Sequence, residues 1–154
     1  MANRIDELFI RKPARILNVY CTAGYPSADS TMEVMEVLQE SGADMIELGI
    51  PYSDPLADGP VIQESGAKSL SMGMTINKLF ADVKKMRDRI QVPVILMGYM
   101  NPVIQYGFEK FCKDAQEAGI DGLILPDLPM YEFEKEYHTI IESCHLEFIF
   151  LVTP

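Results

Sequence analysis

Histidine is scarce in this chain and cysteine is never paired. Two histidines, His138 and His145, and three distant cysteines, Cys21, Cys112 and Cys144, occur in 154 residues. No spacing among them fits a zinc site. An odd set of separated cysteines fits no disulfide framework either, and predicts reduced thiols in or near the core of a cytoplasmic protein. Cations are few: 13 Lys and Arg stand against 23 Asp and Glu, a formal charge of −10, with no basic run to reverse the sign locally. Such a chain repels nucleic-acid phosphates and anionic lipid, so neither nucleic acid nor membrane is expected as a partner. No apolar run reaches the ~18 residues of a membrane span. The opening MANRIDELFIRK lacks the apolar stretch of a signal peptide. Glycine-rich nucleotide loops are missing as well. The loop after the first apolar run reads TAGYPSADS, which is neither a Gly-x-Gly-x-x-Gly turn nor a Walker loop.

What is present is the material of one globular domain over residues 1–154, with 48% apolar residues. Strand-like runs cover Ile16–Cys21, Met45–Leu48, Val92–Met97, Gly122–Leu125 and Glu147–Val152. Helical stripes lie between them: Ile76, Leu79, Phe80 and Val83; Phe133, Tyr137, Ile140, Ile141 and Cys144; and Val34, Val37 and Leu38. The third stripe opens on Ser30-Thr31-Met32-Glu33, the pattern of a capping box. Glu109–Ala118 predicts a further helix ended by Gly119, and Arg4–Arg11 a short leading helix stopped before Pro13. Strands alternating with amphipathic helices predict an α/β fold with a parallel sheet and right-handed crossovers. With nucleotide loops absent, the remaining common architecture is the (β/α)8 barrel. That barrel needs about 250 residues, so this chain predicts about five βα units of an incomplete one.

The strand starts, near residues 16, 45, 92, 122 and 147, leave one unit longer than the rest. Its extra length follows strand 2, in and after the stretch MIELGIPYSDPLADGP at Met45–Pro60. Long insertions in compact domains usually serve function. Alternation puts Ile46 and Leu48 on the helix-covered face and turns Glu47 to the opposite face, into the barrel mouth. A carboxylate there raises its pKa or finds partners, and a carboxyl tuned toward neutrality suits general acid–base chemistry. Residues on a solvated face or in a hydrogen-bonded core network would explain Glu47 equally well if it stood alone.

The neighbours add a resemblance. IELGIPYSDPLADGP, together with TAGYPS, PVILMGYMNPV, GIDGLILPDLP and FIFLVTP in that order, closely resembles the tryptophan synthase alpha subunit family from near the first residue to the last. The resemblance implies a TIM-type (β/α)8 barrel. It implies a lyase of tryptophan biosynthesis that cleaves indole-3-glycerol phosphate by a retro-aldol reaction to indole and glyceraldehyde 3-phosphate. It also implies a beta-subunit partner that carries pyridoxal phosphate, with no cofactor in this chain. Carried over residue by residue, the catalytic glutamate is Glu47 and the catalytic aspartate Asp58. A protonated Glu47 would deliver its proton to indole C3, and the resulting carboxylate would help take the glycerol hydroxyl proton. An ionised Asp58 would accept a hydrogen bond from the ring N–H as positive charge develops there. Tyr20, Met97, Tyr99, Asn101, Ile124 and Asp127 would line the same mouth and bind substrate, although Tyr20, Met97 and Ile124 also suit an ordinary core and Asp127 also suits a cap of the Pro126–Pro129 turn. Asp54 would lie by the beta-subunit surface. Pro51, Pro55 and Pro60 would stiffen the loop that carries Asp58.

Phosphate sites of such barrels are built by loops after strands 7 and 8. The resemblance therefore predicts an N-terminal portion truncated after strand 5. Such a portion would hold both carboxylates with little grip on phosphate and with doubtful activity by itself. An open sheet would leave strands 1 and 5 unpaired and predicts self-association. Two other readings stay open: a metal-dependent aldolase or isomerase barrel with Glu47, Asp58 and Asp127 around Mg²⁺, and a non-catalytic fragment that binds a partner subunit.

Overall fold

In a computed structural model of the chain, residues 3–152 are described. Thr153 and Pro154, which close the FIFLVTP motif, lie outside the described residues. The elements run α1 (Arg4–Arg11), β1 (Asn18–Thr22), α2 (Thr31–Glu40), β2 (Met45–Gly49), α3 (Pro60–Ser71), α4 (Ile76–Met86), β3 (Val94–Met97), α5 (Met100–Tyr106), α6 (Phe108–Ala118), β4 (Gly122–Ile124), α7 (Met130–Glu132), a π-helical segment (Phe133–Tyr137), α8 (His138–Ser143) and β5 (Glu147–Phe148). All four strand pairings are parallel, in the order β1-β2-β3-β4-β5. Sequential order is what a barrel wall requires, because each crossover then advances the sheet in one direction.

The two faces of the sheet are covered differently. Ile46, Leu48, Val94, Leu96 and Leu123 pack with Met35, Leu79, Phe80, Val83, Met86, Phe111, Cys112, Ala115 and Ile141 in one core. These partners come from α2, α4, α6 and α8, so the crossover helices share one face. Each fully buried Leu, Ile or Phe contributes about 1.5–3 kcal/mol of transfer energy there. The opposite, inner face carries a second cluster of Met45, Ile95 and Ile124, closed from below by Ile5 and Leu8 of α1. Helix α1 is fixed at its start by Asn3, whose side-chain oxygen accepts from the Ile5 N–H at 2.9 Å.

A buried ionic hub ties α1 to the barrel wall. Asp121, just before β4, takes Arg4 Nη1 on Oδ1 at 2.9 Å, and Arg87 Nη2 and the Val94 N–H on Oδ2 at 2.8 Å each. Its carbonyl accepts from Asn3 Nδ2 at 2.8 Å. Burial lowers the Arg87 pKa to about 10, with Asp121 opposing that shift. Gly119 ends α6 at φ +85°, and a Cβ there would meet the Arg87 stem.

Several expectations need correction. The capping box at Ser30 does not form: Ser30 sits in the αR region, and its hydroxyl donates to the Ser27 carbonyl at 2.7 Å instead of capping α2. Strand β1 starts at Asn18 rather than Ile16, and β5 covers only Glu147–Phe148. Beyond it Phe148 and Phe150 turn to aromatic packing with Phe133. The stripe from Phe133 to Cys144 winds as a π-helical turn before α8. Helices α3 and α5 lie outside the helical stripes singled out in the sequence. All three cysteines are free, with Cys112 and Cys144 buried and Cys21 half-buried, as their near-core reading required. Among the described residues, no helix is long and apolar enough to cross a membrane.

Candidate active site

Parallel register places side chains of one row side by side. Tyr20, Glu47 and Ile95 share one inner row, and Thr22, Gly49, Met97 and Ile124 the next row toward the strand C-termini. Glu47 thus points away from the helices, as alternation predicts, and is half-buried while Ile46 and Leu48 on either side are fully covered. Its Oε2 accepts from Asn18 Nδ2 at 2.8 Å.

Tyr20 leans over Gly49, and its phenol fills the space a Cβ at that position would take. Its hydroxyl lies 3.3 Å from Thr22 Oγ1, which lies 2.7 Å from Ser65 Oγ on α3. Burial pushes the Tyr20 pKa up against the pull of that Thr22 hydrogen bond, and the charges of Asp58, Cys21 and Glu47 add to the rise.

Asp58 is delivered by the loop between β2 and α3. Two tight turns shape it, with the Leu56 N–H donating to the Asp54 carbonyl at 3.0 Å and the Asp58 N–H to the Pro55 carbonyl at 3.1 Å. Pro60 at the first position of α3 stops the loop. Gln63 Nε2 donates to the Asp58 carbonyl at 2.8 Å, and the Ala57 N–H donates to the Tyr99 hydroxyl at 3.1 Å. Burial raises the Asp58 carboxyl pKa, and hydrogen bonding to Tyr99 pulls it back. A loop position thus does not leave Asp58 fully solvated. The Tyr99 phenol is itself pushed up by burial.

The remaining candidates divide. Met97 and Ile124 line the inner face. Tyr99 braces the Asp58 loop and packs against Tyr52 at a ring separation of 5.3 Å. Asn101 donates to the Tyr52 hydroxyl at 2.9 Å, one step removed from the mouth. Asp127 places both carboxylate oxygens 3.0 Å from the Met100 N–H and so caps α5, not its own turn. Asp54 is exposed on the loop. Among the described residues, no three Asp, Glu, His or Cys side chains gather closely enough to hold a metal ion. With Asp127 engaged at α5, the Mg²⁺ arrangement of Glu47, Asp58 and Asp127 is not formed. Asn18, Gly49, Thr22 and Ser65 were not singled out by sequence reasoning. Asn18 was within its reach, because it stands two residues before Tyr20 and so on the same strand face.

A cavity of about 270 Å³ opens on the helix side of the loop, lined by Ile50, Tyr52, Leu70, Met74 and Pro102 among others. Neither Glu47 nor Asp58 lines it.

Comparison with known proteins bears on the family and the fold. The family model for the tryptophan synthase alpha chain matches residues 10–154. The tryptophan synthase alpha chain of Phocaeicola vulgatus is 47% identical over 152 residues, and that of Parabacteroides distasonis 49% identical over 152 residues. Each alignment covers 99% of this chain and 59% of the relative, so the chain spans about 59% of the length of these curated relatives. A crystal structure of tryptophan synthase subunit alpha from Legionella pneumophila superposes with a TM-score of 0.93 at 40% identity, over 99% of this chain and 59% of the other. A structure of Mycobacterium tuberculosis tryptophan synthase superposes with a TM-score of 0.90 at 35% identity, over 99% and 60%.

Proposed function

The chain belongs to the tryptophan synthase alpha chain family, and on that premise we propose that it supplies the acid–base half of a retro-aldol lyase acting on indole-3-glycerol phosphate. The observation that carries the reading is Glu47 on the inner face of β2, in register beside Tyr20, with Asp58 in the loop that follows the same strand. In this reading Glu47 gives its proton to indole C3. The C–C bond to the glycerol phosphate side chain then breaks, releasing neutral indole rather than a carbanion. The Glu47 carboxylate recovers a proton from the glycerol hydroxyl as that carbon becomes the aldehyde of glyceraldehyde 3-phosphate, so protons balance over one turnover. Asp58, ionised, accepts the ring N–H and stabilises the positive charge that C3 protonation places on nitrogen, an effect worth ~3 kcal/mol. Tyr20, Met97 and Ile124 form the apolar wall for the ring.

The partner in this reading is a beta subunit that holds pyridoxal phosphate and receives the indole, met through the loop bearing Asp54. Tyr52, Asn101 and Asp127 support the Asp58 loop and α5 beside that surface. A direct test measures indole release from indole-3-glycerol phosphate by this chain, with and without added beta subunit. Wild-type turnover that disappears in Glu47→Gln and in Asp58→Asn supports the reading. Equal rates in wild type and Glu47→Gln would end it, as would no release under either condition.

A further inference from the structure

The hydrogen bond from Asn18 to Glu47 is the one polar contact recorded for the Glu47 carboxylate among the described residues. Asn18 pairs in register with Met45, so its side chain reaches diagonally along the inner face, from below, to the carboxylate two residues on. The donor is neutral. Among the described residues no Lys or Arg forms an ion pair with Glu47; Lys12 pairs with Asp44 and Arg87 with Asp121. A cation would hold the carboxylate ionised. A neutral amide orients it without adding a charge.

From this we infer that Asn18 is a positioning residue for the proposed acid–base step: it pins Oε2 and makes Oε1 the oxygen that carries and delivers the proton. An amide N–H can only donate, so the oxygen it occupies is held as an acceptor. With the amide in this orientation, the O–H of a protonated Glu47 is on Oε1. The donated hydrogen bond also fixes the carboxyl plane, and with it the angle at which Oε1 meets a ring lying against Tyr20. Positioning of this kind lowers the barrier because the reacting atoms start close and aligned. Asn18 touches no reacting atom in this scheme and acts only through Glu47. The inference rests on the reading of Glu47 as the acid, and the experiment separates the two.

The side-chain amide resonances of Asn18 are followed in the ¹⁵N-labelled chain as the solution is acidified through the carboxylate range. The expected result is a shift in wild type that is absent in Glu47→Gln, with the Asn18→Leu variant unfolding at the same urea concentration as wild type because Asn18 is exposed. In the lyase assay Asn18→Leu lowers kcat about tenfold with KM unchanged, and Asn18→Gln, which keeps the amide, recovers part of it. Amide resonances that respond identically in wild type and Glu47→Gln overturn the inference, whether or not the chain releases indole. An unchanged kcat in Asn18→Leu also overturns it. If no indole is released, the function proposed for Glu47 falls, and the amide measurement still decides whether Asn18 holds the carboxylate.

Discussion

The phenol of Tyr20 lies in the space that any side chain at Gly49 would occupy, one strand away and one row nearer the mouth. Glycine is required there by close approach of a neighbour, not by backbone conformation. A methyl group at position 49 must push Tyr20 off Thr22 and away from Glu47. Gly49→Ala is expected to destabilise the fold by about 1–3 kcal/mol, the usual range for overfilling a packed site, and to weaken any activity that uses the Tyr20 wall. Combining it with Tyr20→Ala in a double-mutant cycle should recover much of the loss. Strict additivity of the two urea midpoints would show that the residues do not compete for the same space.

Asp58 predicts opposite changes in stability and activity. Burial raises its pKa in the folded chain above the ordinary aspartate value, so between those two values the native state binds more protons than the unfolded state. Stability from this group is then fully present at low pH and is lost as pH rises through the folded value. Asp58→Asn mimics the protonated form at every pH. Its urea midpoint should match wild type in acid and exceed it at neutral pH, while the proposed acceptance of the indole N–H is lost. The same shift predicts that the proposed lyase activity falls on acidification earlier than an ordinary aspartate would allow. A neutral-pH midpoint for Asp58→Asn at or below wild type would contradict the assignment.

What the sequence made legible followed periodicity. Alternation in β2 placed Ile46 and Leu48 under the helices and Glu47 on the free face, the stripe from Ile76 to Val83 starts with α4 and stops three residues before its end, and Glu109–Ala118 misses α6 by one residue at its start. Helix α3 stayed hidden because the residues it buries are Ser65, Gly66 and Ser69, small and polar side chains that no hydropathy pattern marks. They are buried because they allow close approach: Ser69 Oγ donates to the Ala23 carbonyl at 2.5 Å, and Ser65 joins the Thr22 hydroxyl. The role of Asp127 could not be read from sequence because its partner, the Met100 N–H at the start of α5, is 27 positions away. The Ser30 motif failed for a local reason, a backbone already in helical conformation before α2 begins.

That small-residue contact gives a prediction of its own. Ser69 is fully buried against the first residue of the loop after β1. Ser69→Val would enlarge the side chain and leave the Ala23 carbonyl without its donor, so the expected destabilisation is about 1–3 kcal/mol. Ser69→Ala tests the hydrogen bond alone and should cost about 0.5–1.5 kcal/mol. A Ser69→Val variant as stable as wild type would mean that α3 can move off β1 at no cost, and with it the loop that presents Asp58.

The hub at Asp121 lies one residue before the row that Gly122 shares with Ile95 and Glu47, but its partners are Arg4, Arg87, Val94 and Asn3, so it should affect stability, not chemistry. Asp121 is 4% exposed and Arg87 9%, whereas Arg4 is 42% exposed. Breaking a buried pair by removing one partner leaves the other charge without compensation, which costs about 3–5 kcal/mol. Exposed pairs contribute only about 0–1 kcal/mol. Asp121→Ala strands Arg87 and removes the acceptor for the Val94 N–H at the start of β3, so it belongs in the first class. Arg4→Ala belongs in the second, and α1 should stay docked through Ile5, Leu8 and the Asn3 contacts. Urea unfolding of the two variants at constant m separates these cases. Equal losses would mean that the surface half of the hub holds the helix and that the buried Arg87–Asp121 pair does not anchor the sheet.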